Sequence, residues 1–425
     1  MRIGYRKRTT AGDKTICLPL PAGIDYDKWI LDAVGYRQYL DEQIEQHPER
    51  FPVGISDGYW LDGFVVSKRQ QMKTRRILLK HSRDTYQIHP DTVMPYMIGR
   101  TEDVEKGLYL RRYGVPYEAI AHVLGMNAMY WYNATQALGR ISIVGSTVKD
   151  PAQLPLDLAA DEKHSWWLGQ RIYIAVTVAM GCFLGVGLSA TADTAGLSAA
   201  YGEFKAEVMA QHPNYQPETV NTDGWEATQQ AWQLLFPQVT LMLCFLHAIL
   251  GVQQRCRRDP DLFATITHRL WRFYHSPRLQ HFAQRLRRLR EWTIATTLPD
   301  PVVQKLQRLF DHAPNFQQHF DFPNAHRTSN MADRLMNFQD RMLYNMQYFH
   351  GSIASARQAL RAMAMLWNFH PYSRKTQAKL PFSRSPFEAL NGFQYHDHWL
   401  KNLLIAASMN GRNCGRPVLL KSMEN

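Results

Sequence analysis

The chain has 425 residues, 45% of them hydrophobic and 12% aromatic, enough to build real cores, so a disordered polymer is excluded and two to four structural units are expected. No apolar run reaches the length of a bilayer span, and residues 1–30 lack the pattern of a secretory leader, so the expected location is the cytosol or a prokaryotic nucleoid. The five cysteines include no CxxC, which argues against a disulfide framework or a four-ligand zinc site, and a net charge of +12 with a pI near 9.4 points to a polyanionic partner.

Residues 1–95 hold short strand-like pieces (63–66 and 86–89) between Pro-bounded turns and form a region of unassigned fold. They carry the basic run SKRQQMKTRR, followed by Lys80 and Arg83. Residues 96–145 predict a helix-turn-helix. A helix over 102–113 stops at Gly114, Pro116 opens a second, and Gly125-Met126-Asn127 turns into a third, AMYWYNATQALG. Ile120, Val123, Leu124, Trp131 and Leu138 supply the shared core, with Ala121 at the helix crossing. The third helix is the one to enter a major groove, with Asn127, Tyr130, Asn133 and Gln136 as candidate DNA contacts; any short helical hairpin would show the same pattern.

From 151 to 258 strands and helices alternate, which predicts an α/β domain with a mixed sheet. A short strand over 155–161 comes first, then a hairpin of IYIAVTVAM and FLGVGLSA about Gly181-Cys182, and an amphipathic helix over 197–210. Next a β-branched run (Thr219, Val220, Thr222) ends at Asp223, a helix carries Trp225, Thr228, Ala231, Trp232 and Leu235, and an apolar strand spans 239–245. Residues 259–322 switch to helical periodicity with no strand-like run, as an all-helical basic insertion would. Ten arginines between 255 and 290, among them Arg255, Arg257, Arg258, Arg285, Arg287 and Arg288, face only Asp259 and Asp261. Charge runs are commonly solvated helix faces, but two arginine-rich clusters interleaved with Trp271, Phe273, Tyr274 and Trp292 favour a phosphate backbone. HRTSNMADRLMNFQDRML opens a further helix within 323–372, and 373–425 reads as a loop-and-helix C-terminal extension.

Three acids occupy suggestive positions: Asp161 at the end of the first strand, Asp223 at the end of the fourth, and Asp333 in the first turn of the helix after the insertion. Carboxylates converging from strand ends and a flanking helix can hold two hard divalent cations for phosphoryl transfer. Blander readings stand beside this one. Asp157 shares a strand face with Asp161, so either is equally an edge acid, and Asp333 could simply complement a helix dipole. Cys244 and His247, three residues apart after the last strand, are half a zinc site at most and more commonly core residues.

Together, DEKH at Asp161, NTDGW at Asp223, CFLH at Cys244–His247 and RTSNMADRLMN at Asp333 resemble the acidic-triad (DDE/DDD) transposases of the ribonuclease H-like superfamily. The likeness is to Mutator-like elements and their prokaryotic insertion-sequence relatives, and runs over about 161–372. It implies a ribonuclease H-like catalytic domain in two parts (151–258 and 323–372) around the helical insertion. It also implies Asp161, Asp223 and Asp333 as ligands of two Mg²⁺ (or Mn²⁺) ions, with Asp340 as the alternative third acid because the family often has Glu there. Cys244 and His247 would form the family's CxxH, with His247 near the scissile phosphate. The implied activity is cleavage at transposon ends and strand transfer into double-stranded target DNA, by a homodimer or larger assembly. Two other functions use the same residues: a non-catalytic, domesticated DNA-binding regulator, and a ribonuclease H-like nuclease without strand transfer.

Overall fold

The computed structural model describes residues 12–412 apart from Arg69 and Tyr96. Cys414, Arg69 of the first basic run and the part of the expected C-terminal extension beyond Arg412 therefore lie outside the described residues.

The N-terminal region is an α+β unit. Strands β1 (Thr15–Leu18), β2 (Tyr59–Ser67), β3 (Met72–Leu79) and β4 (Thr85–Pro90) form a mixed sheet in the order β1-β4-β3-β2. Helices α1 (Tyr26–Trp29) and α2 (Ala33–Gln46) lie between β1 and β2 in sequence. Ile16, Ile77, Leu79 and Ile88 share a core with Tyr36 and Leu40 of α2. Asp32 caps α2 by accepting from the amides of Val34 and Gly35. Sequence periodicity could not announce this sheet, because β1 and β4 pair in parallel, Thr15 against Gln87, across a long separation.

Helices α3 (Thr101–Arg112), α4 (Tyr117–Leu124) and α5 (Ala128–Leu138) follow, with Gly114 and Gly125 both at positive φ where the chain turns. A short helix α6 (Ile143–Thr147) leads into the second sheet.

That sheet comprises β5 (Asp157–Trp167), β6 (Gln170–Ala179), β7 (Cys182–Ser189), β8 (Thr219–Thr222) and β9 (Thr240–Leu243), in the order β7-β6-β5-β8-β9. β5, β6 and β7 pair antiparallel, whereas β8 and β9 continue parallel to β5. Helices α7 (Thr194–Gln211) and α8 (Glu226–Leu235) make the crossovers. The chain is thus mixed α/β with two mixed sheets, and this strand order is compatible with a ribonuclease H-like fold. Both faces of the sheet are buried, so alternate residues serve different layers. Ala175 and Leu184 pack toward Tyr201, Phe204 and Trp232 of α7 and α8, while Ile174, Val176 and Phe183 pack toward the opposite helical layer.

One boundary that differs from the sequence reading bears on the acids. The first strand of this sheet runs on to Trp167, so Asp161 lies inside it rather than at its end. The cause is the antiparallel partner. Leu168 and Gly169, both at positive φ, make a two-residue turn that lets β6 pair with β5 as far as Trp167. The parallel partner β8 pairs only as far as Ala159.

Between β9 and the last layer the chain is helical: α9 (Phe245–Arg255), α10 (Pro260–Tyr274), α11 (Leu279–Ala295), α12 (Asp300–Asp311) and α13 (Ala313–Gln317). Ile266, Leu270, Phe273, Phe282, Leu289 and Leu306 form a separate core that also takes in Phe245 and Ile249 of α9. Helices α14 (Asn330–Asn345) and α15 (Ile353–Phe369) then cover the second face of the sheet. The chain continues through α16 (Arg374–Gln377), α17 (Pro386–Asn391) and α18 (Trp399–Ala406), whose Leu400, Leu403 and Ile405 join the same core. Just beyond α18, Ser408 Oγ accepts from the Cys17 amide, tying this region to β1. Among the described residues no helix is long and apolar enough to cross a membrane.

Candidate acidic site at the strand ends

The site lies where β5 and β8, parallel neighbours, run out of shared pairing. The last paired rung is Ala159 with Asn221, so Asp161 and Asp223 each stand two residues further along adjacent strands. Asp161 is 7% exposed and sits on β5 opposite Val176 of β6. Asp223 is exposed in the turn before α8, and Gly224 at φ +93° supplies the bend. Asp333 is half-buried in the first turn of α14.

The acids share one electrostatic neighbourhood. Burial pushes the Asp161 carboxyl up to about 7, reinforced by the charges of Asp223 and Asp333 and opposed by His247. Each acid uses one oxygen locally. Asp161 Oδ1 accepts from the Glu162 amide at 2.8 Å, Asp223 Oδ1 from the Trp225 amide at 2.8 Å, and Asp333 Oδ2 from the Ser329 hydroxyl at 3.1 Å. The second oxygen of each has no hydrogen bond among the described residues. Asp340, two turns further along α14, instead forms an ion pair with Lys163.

The segment ahead of α14 is strapped across the strand ends. Asn221 Nδ2 donates to the His326 carbonyl at 2.8 Å, the Phe245 amide to the Arg327 carbonyl at 3.1 Å, and the Ser329 amide to Cys244 Sγ at 3.2 Å. Cys244 is itself tied to β8 through its amide, which donates to the Thr222 carbonyl. These bonds hold Asp333 at a defined place although 110 residues separate it from Asp223.

Cys244 and His247 belong to the same cluster. Cys244 is the N-cap of α9, only 2% exposed, with Sγ 3.4 Å from Ser329 Oγ. Burial alone raises its thiol, but hydrogen bonds from the His247 side chain and from the Ser329 hydroxyl and amide outweigh burial, and the net shift is downward. His247 is raised to about 9, chiefly by its hydrogen bond to Cys244, against the cost of burial. Each thus favours the charged form of the other. Ser329 Oγ also lies 3.5 Å from His247 Nδ1, so one hydroxyl touches the couple and the third acid.

Hard oxygen donors, a carboxyl held high by burial and by two neighbouring negative charges, and three open oxygens suit a hard divalent cation. Among the described residues no three His, Cys, Asp or Glu side chains are already close enough to ligate one ion, so binding requires them to draw together. The adjacent register of Asp161 and Asp223 keeps that movement within side-chain reach, since neighbouring strands lie about 4.8 Å apart.

Glu162 is a participant that sequence pattern did not flag. Its Oε1 accepts from Tyr201 of α7 and Thr228 of α8, both at 2.6 Å, and burial pushes it up to about 7. It pins both crossover helices to β5 behind the acids. The adjacent acids of DEKH were the only available signal, because alternate strand residues face opposite ways.

The nominated DNA contacts are dispersed. On α5, Asn127 caps the helix by accepting from the Tyr130 amide at 2.8 Å, and Asn133 is exposed. The Tyr130 hydroxyl is engaged by the Ile98 carbonyl at 2.6 Å. Gln136 is 6% exposed and directed at the Ser355 carbonyl of α15, so it is not presented to a groove. The reason is tertiary: α5 packs lengthwise on α15, and Gly139 lies so close that a Cβ there would overlap the Gln358 carbonyl. Arg255, Arg257, Arg258, Arg287 and Arg288 are exposed, Arg287 pairing with Glu291 at 3.5 Å. Arg285 instead donates to the Arg272 carbonyl at the end of α10.

Comparison with protein families finds no match, and comparison with curated proteins finds none. Among solved structures, a Mos1 transposase paired-end complex with left transposon end is similar at 12% identity and a TM-score of 0.17, covering 59% of this chain and 80% of that chain. The fold is accordingly read from strand order and pairing rather than from that likeness.

Proposed function

We propose that the chain is a DNA transposase of the acidic-triad kind, resembling Mutator-like and related insertion-sequence enzymes, that cuts transposon ends and transfers the cut strand into target DNA. The observation that carries this reading is that Asp161 and Asp223 both lie two residues past the last rung shared by β5 and β8, while the segment leading to Asp333 is bonded across those strand ends. The strand order, the basic helices between β9 and α14 and the net charge of +12 support it.

In this reading Asp161, Asp223 and Asp333 hold two Mg²⁺ or Mn²⁺ through their open oxygens. Bound cations would supply Lewis-acid stabilisation and lower the pKa of the attacking water or 3′-hydroxyl. The chain's own contribution is alignment and charge. Ser329 orients Asp333, and Glu162 anchors the helices behind Asp161. The His247 imidazolium offers a hydrogen bond to a phosphate oxygen beside the acids. The exposed arginines of 255–288 neutralise DNA phosphates, and α4–α5 reads a terminal repeat through Asn127 and Asn133. Cutting two ends together calls for a dimer or larger assembly, working in the cytosol or nucleoid.

The test is end cleavage on a DNA carrying the element's own inverted repeats. Wild-type protein should nick it only with a divalent cation, while Asp223→Ala should bind and not cut; cleavage that survives the substitution defeats the proposal. Products without strand joining would point to a nuclease, and DNA binding without any nicking would point to a regulator.

A further inference from the structure

The packing of β5 against α14 leaves a cleft beyond the acids whose lining the acid site does not use. β5 and α14 run side by side from Asp161 and Asp333 toward Trp167 and Asn345, with Lys163 and Asp340 paired midway. At the far end a cleft of about 640 Å³ opens between them, lined by Lys163, His164, Trp166, Arg341, Tyr344 and Tyr348. Asn345 and Tyr348 also line a second cavity of about 520 Å³, which reaches Tyr117, Tyr132 and Phe349. Five residues of strand from Asp161 to Trp166, at about 3.4 Å each, give roughly 17 Å. Twelve residues of helix from Asp333 to Asn345, at 1.5 Å each, give roughly 18 Å. Both measures match about five stacked nucleotides at 3.4 Å each.

Aromatic side chains are usually spent on cores, and here they are not. Tyr344 is 74% exposed and Trp166 37% exposed, and the Arg171 guanidinium lies 5.8 Å from the Trp166 ring. Arg341 lines the cleft and makes no ion pair among the described residues, while its neighbour Asp340 pairs with Lys163. Rings beside a positive charge suit a polyanion that exposes the faces of its bases. A duplex hides those faces inside its stack and is too wide for clefts of this size, so the fit is to an unpaired strand.

We propose that this cleft binds unpaired DNA about five nucleotides away from the phosphodiester at the acids, with Trp166 and Tyr344 as its stacking platform. The assignment rests on the reading of the acids as a DNA-cutting site. It implies that the ends are locally melted when they are cut.

The experiment uses the full chain, fluorescein-labelled oligothymidylate of ten nucleotides and a duplex of equal length, read by fluorescence anisotropy across a salt series. Tyr344→Ala and Trp166→Ala should each weaken oligothymidylate binding by about 5- to 150-fold and leave its salt dependence and the duplex affinity unchanged. Tyr344 is the safer probe, since its exposed ring contributes little to folding; Tyr344→Phe should restore most of the affinity. Variants that keep the wild-type melting temperature and bind oligothymidylate as wild type does overturn the cleft, as does an equal loss for both probes. The two failures are separable: an inactive wild type that still loses oligothymidylate binding on Tyr344→Ala strikes the acid site, whereas intact cleavage with unchanged oligothymidylate binding strikes the cleft.

Discussion

Asp161 on β5 and Asp223 just beyond the end of β8 each lie two residues past the rung formed by Ala159 and Asn221 on these adjacent parallel strands. Neither sits near the other by sequence; the parallel pairing of β5 and β8 brings them side by side. Folding therefore places two like charges next to each other, and Asp161, the buried one, bears the cost.

A pH dependence follows. The Asp161 carboxyl moves from an ordinary 3.8 up to about 7 on folding, so the folded chain holds a proton that the unfolded chain releases. Its stabilising contribution is complete below about 4 and is lost as pH rises to 7. Glu162, raised from 4.5 to about 7, acts in the same direction. In chelator, the melting temperature should fall between about pH 4 and 7, each group contributing at most about 1.4 kcal/mol per pH unit. Asp161→Asn should flatten that slope; an unchanged slope in the variant would show that Asp161 is not the source.

Divalent cations should reverse the penalty. At pH 8 in the absence of DNA, Mg²⁺ or Mn²⁺ should raise the melting temperature of the wild type, by the equivalent of about 2.7 kcal/mol at one hundred times the dissociation constant. Asp223→Asn and Asp161→Asn should each abolish the rise, and removing the ion with chelator should restore the original curve. Equal stabilisation of wild type and variants would locate the ion elsewhere.

Ser329 links the Cys244–His247 couple to Asp333, so its loss should misplace the third acid without emptying the core. Ser329→Ala should slow end cleavage by about an order of magnitude, because Asp333 then loses the hydroxyl that orients its carboxylate, and Ser329→Thr should recover much of it. Cys244 should alkylate slowly in the native chain despite its lowered thiol, because it is buried, and quickly in denaturant. Peptide mapping by mass spectrometry reads this directly; rapid native labelling at Cys244 would contradict the packing.

The arginines divide into two groups. Arg258→Ala and Arg288→Ala should each reduce the salt slope of duplex binding by about one, as loss of a phosphate contact does. Arg285→Ala should leave that slope alone and lower the melting temperature, since its guanidinium satisfies the carbonyl end of α10. Gln136→Ala and Gly139→Ala should likewise cost stability rather than DNA affinity, and Asn133→Ala should do the reverse. A salt slope changed by Arg285→Ala would reassign that side chain to the DNA face.

Much of this architecture is legible in the sequence. The β-branched and apolar runs gave the strands of the second sheet, and the arginine-rich periodicity gave helices after β9, because both signals are local. The acids could be nominated from their places beside strand and helix boundaries. What could not be read was pairing at a distance. The length of β5 depends on β6, the burial of Gln136 depends on α15, and the mooring of Asp333 depends on Asn221 and Cys244. The N-terminal sheet escaped for the same reason, its parallel pair being closed across most of that region.

The bond between Ser408 and the Cys17 amide spans 391 residues and has a temporal consequence. On a ribosome adding about 5 to 20 residues per second, the first strand emerges roughly 20 to 80 s before the segment that completes its packing. Until then Cys17 and its neighbours on that face stay uncovered. Shortening the chain at its distal end would thus register first as misassembly at its beginning.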